Sequence, residues 1–475
     1  MKKTIYLELS EEQGVSHKFY EVVIEEKTVH IRYGRIGTDG TKSSQSFGSE
    51  AEALKFGEKK ASEKKKKGYA EAVMGERKKR SITRRQIDSK PSSAKKSPLL
   101  WRFQSGSSAF GIFIDENAAW IGNEAGNIFR LNHQGEVQSQ FKLPDGVKCI
   151  VGDNSWVYVG CDDGNVYDLT GKVPRLAYEI NENVDILWLD ISNGLLAVSD
   201  STGKVTGIDY EDEEQWSTKG AGTMAWMVRC DEQARIFYGD SAGMACYHGY
   251  DGTQTWYQKT GTILFGWQEK ERVYGATSDA KIHVFDKNGK QINTCHTDAA
   301  IFSCATSPEG KYIFAADNCS SIYCFNEAGE RLWKLASGCG SAFSMQYFQE
   351  KIYIVTTDGS LACIDASEEA IQKAQEGILP EAKDIKAPQK EVAISQTTDL
   401  ETVTNDKTGV ILVCVKDGGK LRMKVESQGY KEDWYVQFPK NLRIEGAYYL
   451  VDEIKEATQG GFYRTYGNIY KLKKD

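Results

Sequence analysis

Between residues 99 and 366 the chain repeats one arrangement of apolar and polar positions seven times. Each copy has an apolar run, a second run of strand-like alternation, a tight turn and a third run. A D-x-x-G type turn and a tryptophan often follow. The central parts read AWIGNEAGNIFRLNHQG, VYVGCDDGNVYDLTG, LAVSDSTGKVTGIDY, IFYGDSAGMACYHGYDGTQTW, VYGATSDAKIHVFDKNG, IFAADNCSSIYCFNEAGERLW and IYIVTTDGSLACIDA. Their turn residues align at Gly126, Gly164, Gly203, Gly243, Ala280, Ser320 and Gly359, spaced by 38, 39, 40, 37, 40 and 39 residues. A period of two marks strands buried on one side. Dipeptides such as Asp-Gly, Ala-Gly and Thr-Gly supply the positive φ that a hairpin turn requires.

A further apolar run precedes each hairpin, as in FGIFID, ILWLDI and IFSCA, and a fourth strand such as QTWYQK or RLWKLA follows most of them. Four short antiparallel strands in a unit of about 40 residues make a propeller blade. The seventh unit lacks a fourth strand, because LACIDA runs into the helix-like SEEAIQKAQEG. The segment Leu99-Leu100-Trp101-Arg102-Phe103 matches the RLWKL pattern and precedes the first unit. It is expected to complete the seventh blade and so remove an exposed sheet edge. The repeats resemble those of the pyrroloquinoline-quinone-type and WD-repeat propellers, which implies the fold and not an activity. The WD dipeptide and the D-x-[DN]-x-[DN]-G calcium loop are both missing from the sequence.

Residues 1–75 alternate as strands and then turn helical. SHKFYEVVIEEKTVHIRYGRIGTDG has the pattern of a hairpin that turns within IEEKTV. Ser49, with Glu50 and Glu52 behind it, is a helix N-cap with acids in the first turn. The segment Tyr33-Gly34-Arg35-Ile36-Gly37-Thr38-Asp39-Gly40, after K-F-Y and before a helix ending in KKKKGY, resembles the signature of the WGR domain, with Tyr33 where the signature has Trp. The resemblance implies a small α+β domain. In the poly(ADP-ribose) polymerases that domain recognises DNA breaks, whereas bacterial members join it to varied partners. It implies a phosphate contact for Arg35 and stacking or packing for Tyr33. Glycines on either side of Arg35 let a guanidinium approach phosphate closely. Gly34, Lys42, Lys64, Lys65, Lys66 and Lys67 complete the candidate nucleic-acid site, and linker residues Arg77, Lys78, Lys79, Arg80, Arg84 and Arg85 add diffuse attraction. A plainer reading stands beside this one. Lysines at a helix end form a favourable solvated face, Arg35 holds a turn, and Tyr33 belongs to a core.

Residues 76–98 are basic, polar and Ser/Pro-bearing, and residues 367–400 drift from a helical start into polar sequence. Both read as linkers that leave the three parts mobile. Residues 401–475 read as a small β-rich α+β domain. It has a hairpin at Asp417-Gly418-Gly419, a strand or short helix in NLRIEGAYYLVDEIKEA, and a final run GGFYRTYGNIYKLKK that interleaves aromatics with bases. That pattern makes Tyr463, Arg464, Tyr466 and Lys471 a possible secondary nucleic-acid contact. Tyr463, Tyr466 and Tyr470 read equally as strand residues packing a small sheet.

Charge sharpens the division. Residues 1–98 hold 23 Lys and Arg against 14 Asp and Glu, a balance of +9; residues 401–475 hold 13 against 11, or +2; the remaining 24 against 42 give −18, for a total of −7. The front is therefore the part suited to a polyanion. Eleven cysteines without a C-x-x-C pair sit mostly in strand-like runs, as reduced core residues do. No apolar stretch reaches membrane length, and MKKTIYLELSEEQG meets acids before any long apolar run, so a cytoplasmic protein without a membrane role is expected. The sequence has no phosphate-binding loop, nucleophile elbow or zinc-protease helix, and its six histidines are scattered. The expectation is a mainly β chain with no catalytic residues, cofactor or metal. Its front would bind DNA, or RNA, and its acidic propeller a protein. A protein-only scaffold and an enzyme with a small-molecule site in the propeller channel remain as alternatives.

Overall fold

The computed structural model describes residues 2–10, 17–35, 41–67, 69–71, 89–180, 185–385, 394–396, 400–404, 407–458 and 460–473. It divides into two compact units, Met1–Ile82 and Thr83–Asp475.

In the first unit, strands β1 (Lys2–Ser10), β2 (His17–Glu25), β3 (Thr28–Arg35), β4 (Thr41–Ser46) and β5 (Ala70–Glu71) form one antiparallel sheet in the order β4-β3-β2-β1-β5. Helix α1 (Glu50–Lys65) lies on one face. Ser49 caps it, its Oγ accepting from the Glu52 N–H at 3.2 Å, while the Glu52 carboxylate accepts from the Gly48 N–H at 3.1 Å. Ala53, Gly57 and Ala61, four residues apart, form the buried stripe against Leu7, Val22 and Ile24. A side chain at Gly57 would strike Ile24 at 2.6 Å, so this close helix-to-sheet approach depends on glycine.

In the second unit, seven four-stranded sheets follow one another along the chain. Strand Leu99–Gln104 pairs antiparallel with Ser360–Asp365, Phe103 opposite Leu361, and so closes the ring through the seventh blade. At the hairpin turns Ala280 and Ser320 adopt the left-handed conformation (φ 66° and 50°) that Gly126, Gly164, Gly203 and Gly359 adopt in other blades. The recurring tryptophans latch neighbouring blades. Trp216 Nε1 donates to Gly249 O at 2.7 Å and its ring covers Gly252; Trp256 Nε1 donates to Lys287 O at 3.1 Å and its ring covers Gly289. Trp333 has no such turn ahead of it and packs instead with Ile371 and Ala374 of helix Glu368–Gln375.

Two linker readings need correction. Residues 89–98 do not behave as a tether. Ala336 N donates to Lys96 O, Lys90 N to Asn318 O, and Ser92 Oγ meets Ser321 Oγ at 2.9 Å, so this stretch lies along the sixth blade and the turns beside it. Between 367 and 400, Lys383–Ile385 adds a parallel fifth strand to the seventh blade and Ile394–Gln396 adds one to the first. Polar sequence reads as linker, yet outer blade edges offer unpaired backbone groups that any extended segment can satisfy.

The last part is a barrel. Strands Val410–Asp417, Lys420–Val425, Tyr435–Gln437, Tyr448–Glu456 and Phe462–Leu472 pair in a closed circuit, first to second to third to fifth to fourth and back to the first, with the third and fifth parallel. A short strand, Thr402–Val403, pairs alongside the fifth. The segment that read as strand or short helix is a strand over its second half. The barrel packs on the propeller: the buried Arg464 pairs with Asp153 of the second blade, and Arg422 pairs with Glu211 of the third.

Candidate nucleic-acid interface

Alternation along β3 puts Val29, Ile31 and Tyr33 on the side of the sheet that carries α1. There an open cleft of about 480 Å³ is lined by Tyr20, Ile31, Tyr33, Ser44, Phe56 and Lys60. Tyr33 is 43% exposed and stacks on the buried Tyr20, with ring centroids 6.0 Å apart and planes 29° apart. The Lys64 ammonium stands 4.6 Å from the Tyr20 ring and 5.3 Å from the Tyr69 ring, held by cation–π attraction. Burial, followed by the nearby Glu63 charge, raises the Tyr20 hydroxyl pKa, so this ring stays neutral. The cleft thus presents an aromatic plane with ammonium groups beside it.

The other candidates are not among its lining residues. Lys42 lies on the edge strand β4, which is exposed throughout, and, directly across from Arg32, is on the opposite face of the sheet. Lys65, Lys66 and Lys67 are exposed at the C-terminal end of α1, where positive charge is favoured. Gly34 sits within β3 opposite Phe19. The backbone of Arg35 ends β3 opposite Lys18; its side chain, Ile36–Gly40 and the linker bases from Arg77 to Arg85 lie outside the described residues. Arg32 faces the opposite side of the sheet, with its Nε 2.8 Å from a Glu21 carboxylate oxygen and its guanidinium 4.7 Å over Phe19. Sequence reading missed Tyr20, Phe56 and Lys60. The signal was available, since Tyr20 shares its strand face with Val22 and Ile24, and Lys60 precedes Lys64 by one helical turn.

The propeller axis is apolar. In six blades the inner strand carries a bulge at one corresponding position, occupied by Phe110, Lys148, Leu187, Leu264, Phe302 and Phe343. A bulge re-aims its side chain. Five of these residues, with Trp226 of the fourth blade, form a single buried cluster. One residue from each of six blades can meet only at the axis, so the cluster plugs the channel. Lys148 is the charged member, 3.4 Å from Asp162.

The secondary set in the barrel does not face solvent as a group. Arg464 is 0% exposed: Nη1 donates to Asp153 Oδ2 at 2.8 Å, Nη2 donates to the Tyr158 hydroxyl at 2.7 Å, and the guanidinium lies 3.9 Å over Trp156. Tyr463 is in the barrel core and Tyr466 packs edge-on against Trp156, leaving only Lys471 fully exposed. Arg464 is thus held against the propeller and Tyr463 within the barrel core. Among the described residues no cluster of metal-ligating side chains occurs, all eleven cysteines are free thiols, and no helix is long and apolar enough to cross a membrane.

Residues 3–76 match the WGR domain family, so the first unit is a WGR domain. No curated protein matches the chain. Among solved structures, the WD40 β-propeller domain of Doa1 superposes with a TM-score of 0.50 at 10% identity, over 57% of this chain and 98% of that one. A computationally designed protein, Ika8, gives a TM-score of 0.47 at 12% identity, over 57% and 100%. The Doa1 likeness identifies the propeller fold and nothing further.

Proposed function

We propose that this chain is a non-enzymatic adaptor whose WGR domain engages DNA at ends or structured sites while its acidic propeller engages a protein partner. The observation that carries the reading is the Tyr33 cleft. A half-exposed ring backed by Tyr20, with Lys60 and Lys64 beside it, sits in a region whose balance is +9 within a chain of −7. An exposed aromatic plane stacks a base or a sugar, and flanking ammonium groups neutralise phosphate. Tyr33 in place of Trp retains that plane. The apolar plug at the axis supports the non-enzymatic part, because catalysis in the channel would need converging polar groups and space. The balance of −18 over residues 99–400, which contain the propeller, favours a basic protein partner over a second polyanion.

The test is fluorescence anisotropy of the full chain, and of its Tyr33→Ala and Arg35→Ala variants, against nicked, blunt and single-stranded DNA across a salt series. The proposal expects binding that weakens with salt, prefers one DNA form and drops in both variants. Absence of binding at low salt would leave the protein-only scaffold as the reading to pursue.

A further inference from the structure

The barrel's strand circuit, with parallel third and fifth strands, is the arrangement of the OB-fold, whose binding surface spans the second and third strands and the adjoining loops. In this chain that outer surface has a definite chemistry. In Lys420–Val425 the residues Leu421, Met423 and Val425 pack on the barrel core, so Lys420, Arg422 and Lys424 project outward. The third strand adds Tyr435, which lies beneath Arg422 and Lys424 at 4.8 and 5.2 Å. The fifth adds Phe462 and Arg464 on either side of the core residue Tyr463. Bases interleaved with rings on a curved sheet are what single-stranded nucleic acid requires.

The propeller occupies this surface. The turn Asp209-Tyr210-Glu211-Asp212-Glu213 of the third blade lies across it. Tyr210 stacks on Phe462 with centroids 3.8 Å apart and planes 6° apart. Its neighbour Glu211 takes a two-pronged contact from Arg422, with Nε to Oε1 at 2.6 Å and Nη2 to Oε2 at 3.2 Å, and Lys420 lies 3.9 Å away. Glu213 faces Lys440 at 3.4 Å, and Asp153 of the second blade holds Arg464 at 2.8 Å. A ring stacked face to face on an aromatic, followed one residue later by an anion gripped by arginine, reproduces the contacts of a base and its phosphate. An open cleft of about 320 Å³ adjoins the Tyr210–Phe462 stack.

We infer that the barrel carries a binding face for single-stranded nucleic acid, and that the acidic turn 209–213 of the propeller occupies it in cis as a nucleotide mimic. The face is independent of the WGR cleft, since it lies on other residues and has its own counter-surface. The chain would bind a strand here only when the turn is displaced.

The test uses the full chain carrying Tyr33→Ala, so that the WGR cleft does not mask the result, and a fluorescein-labelled 20-nucleotide thymidine strand as probe. Adding Tyr210→Ala, Glu211→Arg and Glu213→Arg should raise affinity by about tenfold or more and steepen its salt dependence. The gain should disappear on further substitution of Arg422→Ala and Tyr435→Ala. Glu211→Gln alone preserves the shape of the turn, removes one charge, and should give a smaller gain of about threefold. Hydrogen exchange across Phe462–Leu472 reports whether the face has opened. An opened face with no gain in either variant overturns the inference, and so does a face that stays protected after the acids are reversed.

Discussion

Two surfaces of this protein combine the same residue types and stand in opposite states. On the WGR domain, Tyr33 and Lys60 border an open cleft with a ring 43% exposed, and Lys64 stands over the Tyr20 ring behind it. On the barrel, Arg422, Phe462 and Arg464 are met by Glu211, Tyr210 and Asp153 of the propeller, and Arg464 has no exposure at all. Aromatic residues interleaved with bases therefore describe a capacity, and whether it is available depends on where the fold places its own acids. Part of the acidic propeller's negative charge neutralises the barrel within the chain.

The largest effect that can break this contrast lies at Arg464. Arg464→Ala leaves Asp153 buried without its cation and the Tyr158 hydroxyl without its donor. Breaking a buried pair in this way costs about 3–5 kcal/mol. A lowered thermal midpoint, with raised hydrogen exchange across Phe462–Leu472, is the expected outcome. An unchanged midpoint would mean that Arg464 does not anchor the barrel.

On the open surface the same kind of substitution should act on binding and not on folding. Tyr33→Ala, with its ring half in solvent, should leave the midpoint within a degree or two and weaken DNA binding by about 1–3 kcal/mol, the worth of one stacked base. Anisotropy titration and a melting curve on the same sample separate the two readouts.

Smaller effects sharpen the comparison. Burial of Asp212 in the acidic turn pushes its pKa up to about 7, against the lowering pull of the Glu179 N–H, Lys440 and Arg443; burial likewise pushes Asp190 up to about 6. A carboxyl whose folded pKa lies above its unfolded value of about 3.8 holds a proton in the folded state that the unfolded state has released. Stability of the second unit should therefore fall as pH rises from about 4 to about 7, and recover on acidification within that window. Asp212→Asn should flatten part of the profile, and asparagine tolerates the φ of 60° found there. Thermal midpoints at pH 5.5 and 7.5 check the sign. The smallest effect is at the edge of the WGR sheet, where Lys42→Ala should reduce the slope of log affinity against log salt by about one without changing which DNA form is preferred.

Most of the architecture was legible in the sequence because its determinants are local. Each blade carries its own alternation and turn within about 40 residues, and Leu99–Phe103 reads as a missing fourth strand because it repeats RLWKL. Ser49 as the cap of α1 was legible for the same reason. What escaped depends on partners distant in the chain. Arg464 in a basic, aromatic run looks like a surface contact, and the acid that buries it stands 311 residues earlier. The added strands at 383–385 and 394–396 pair through backbone, which leaves no mark on side-chain pattern. The WGR cleft was half legible: Tyr33 and Lys64 came from the motif and the charge run, whereas Tyr20 beneath them required the register of β2 against β3.

The most direct measurement is anisotropy of the full chain on nicked DNA at moderate salt, comparing Tyr33→Ala with Arg422→Ala. An open WGR cleft and an occupied barrel predict about a tenfold loss for Tyr33→Ala and none for Arg422→Ala. A larger loss for Arg422→Ala than for Tyr33→Ala would contradict that assignment and place the DNA on the barrel.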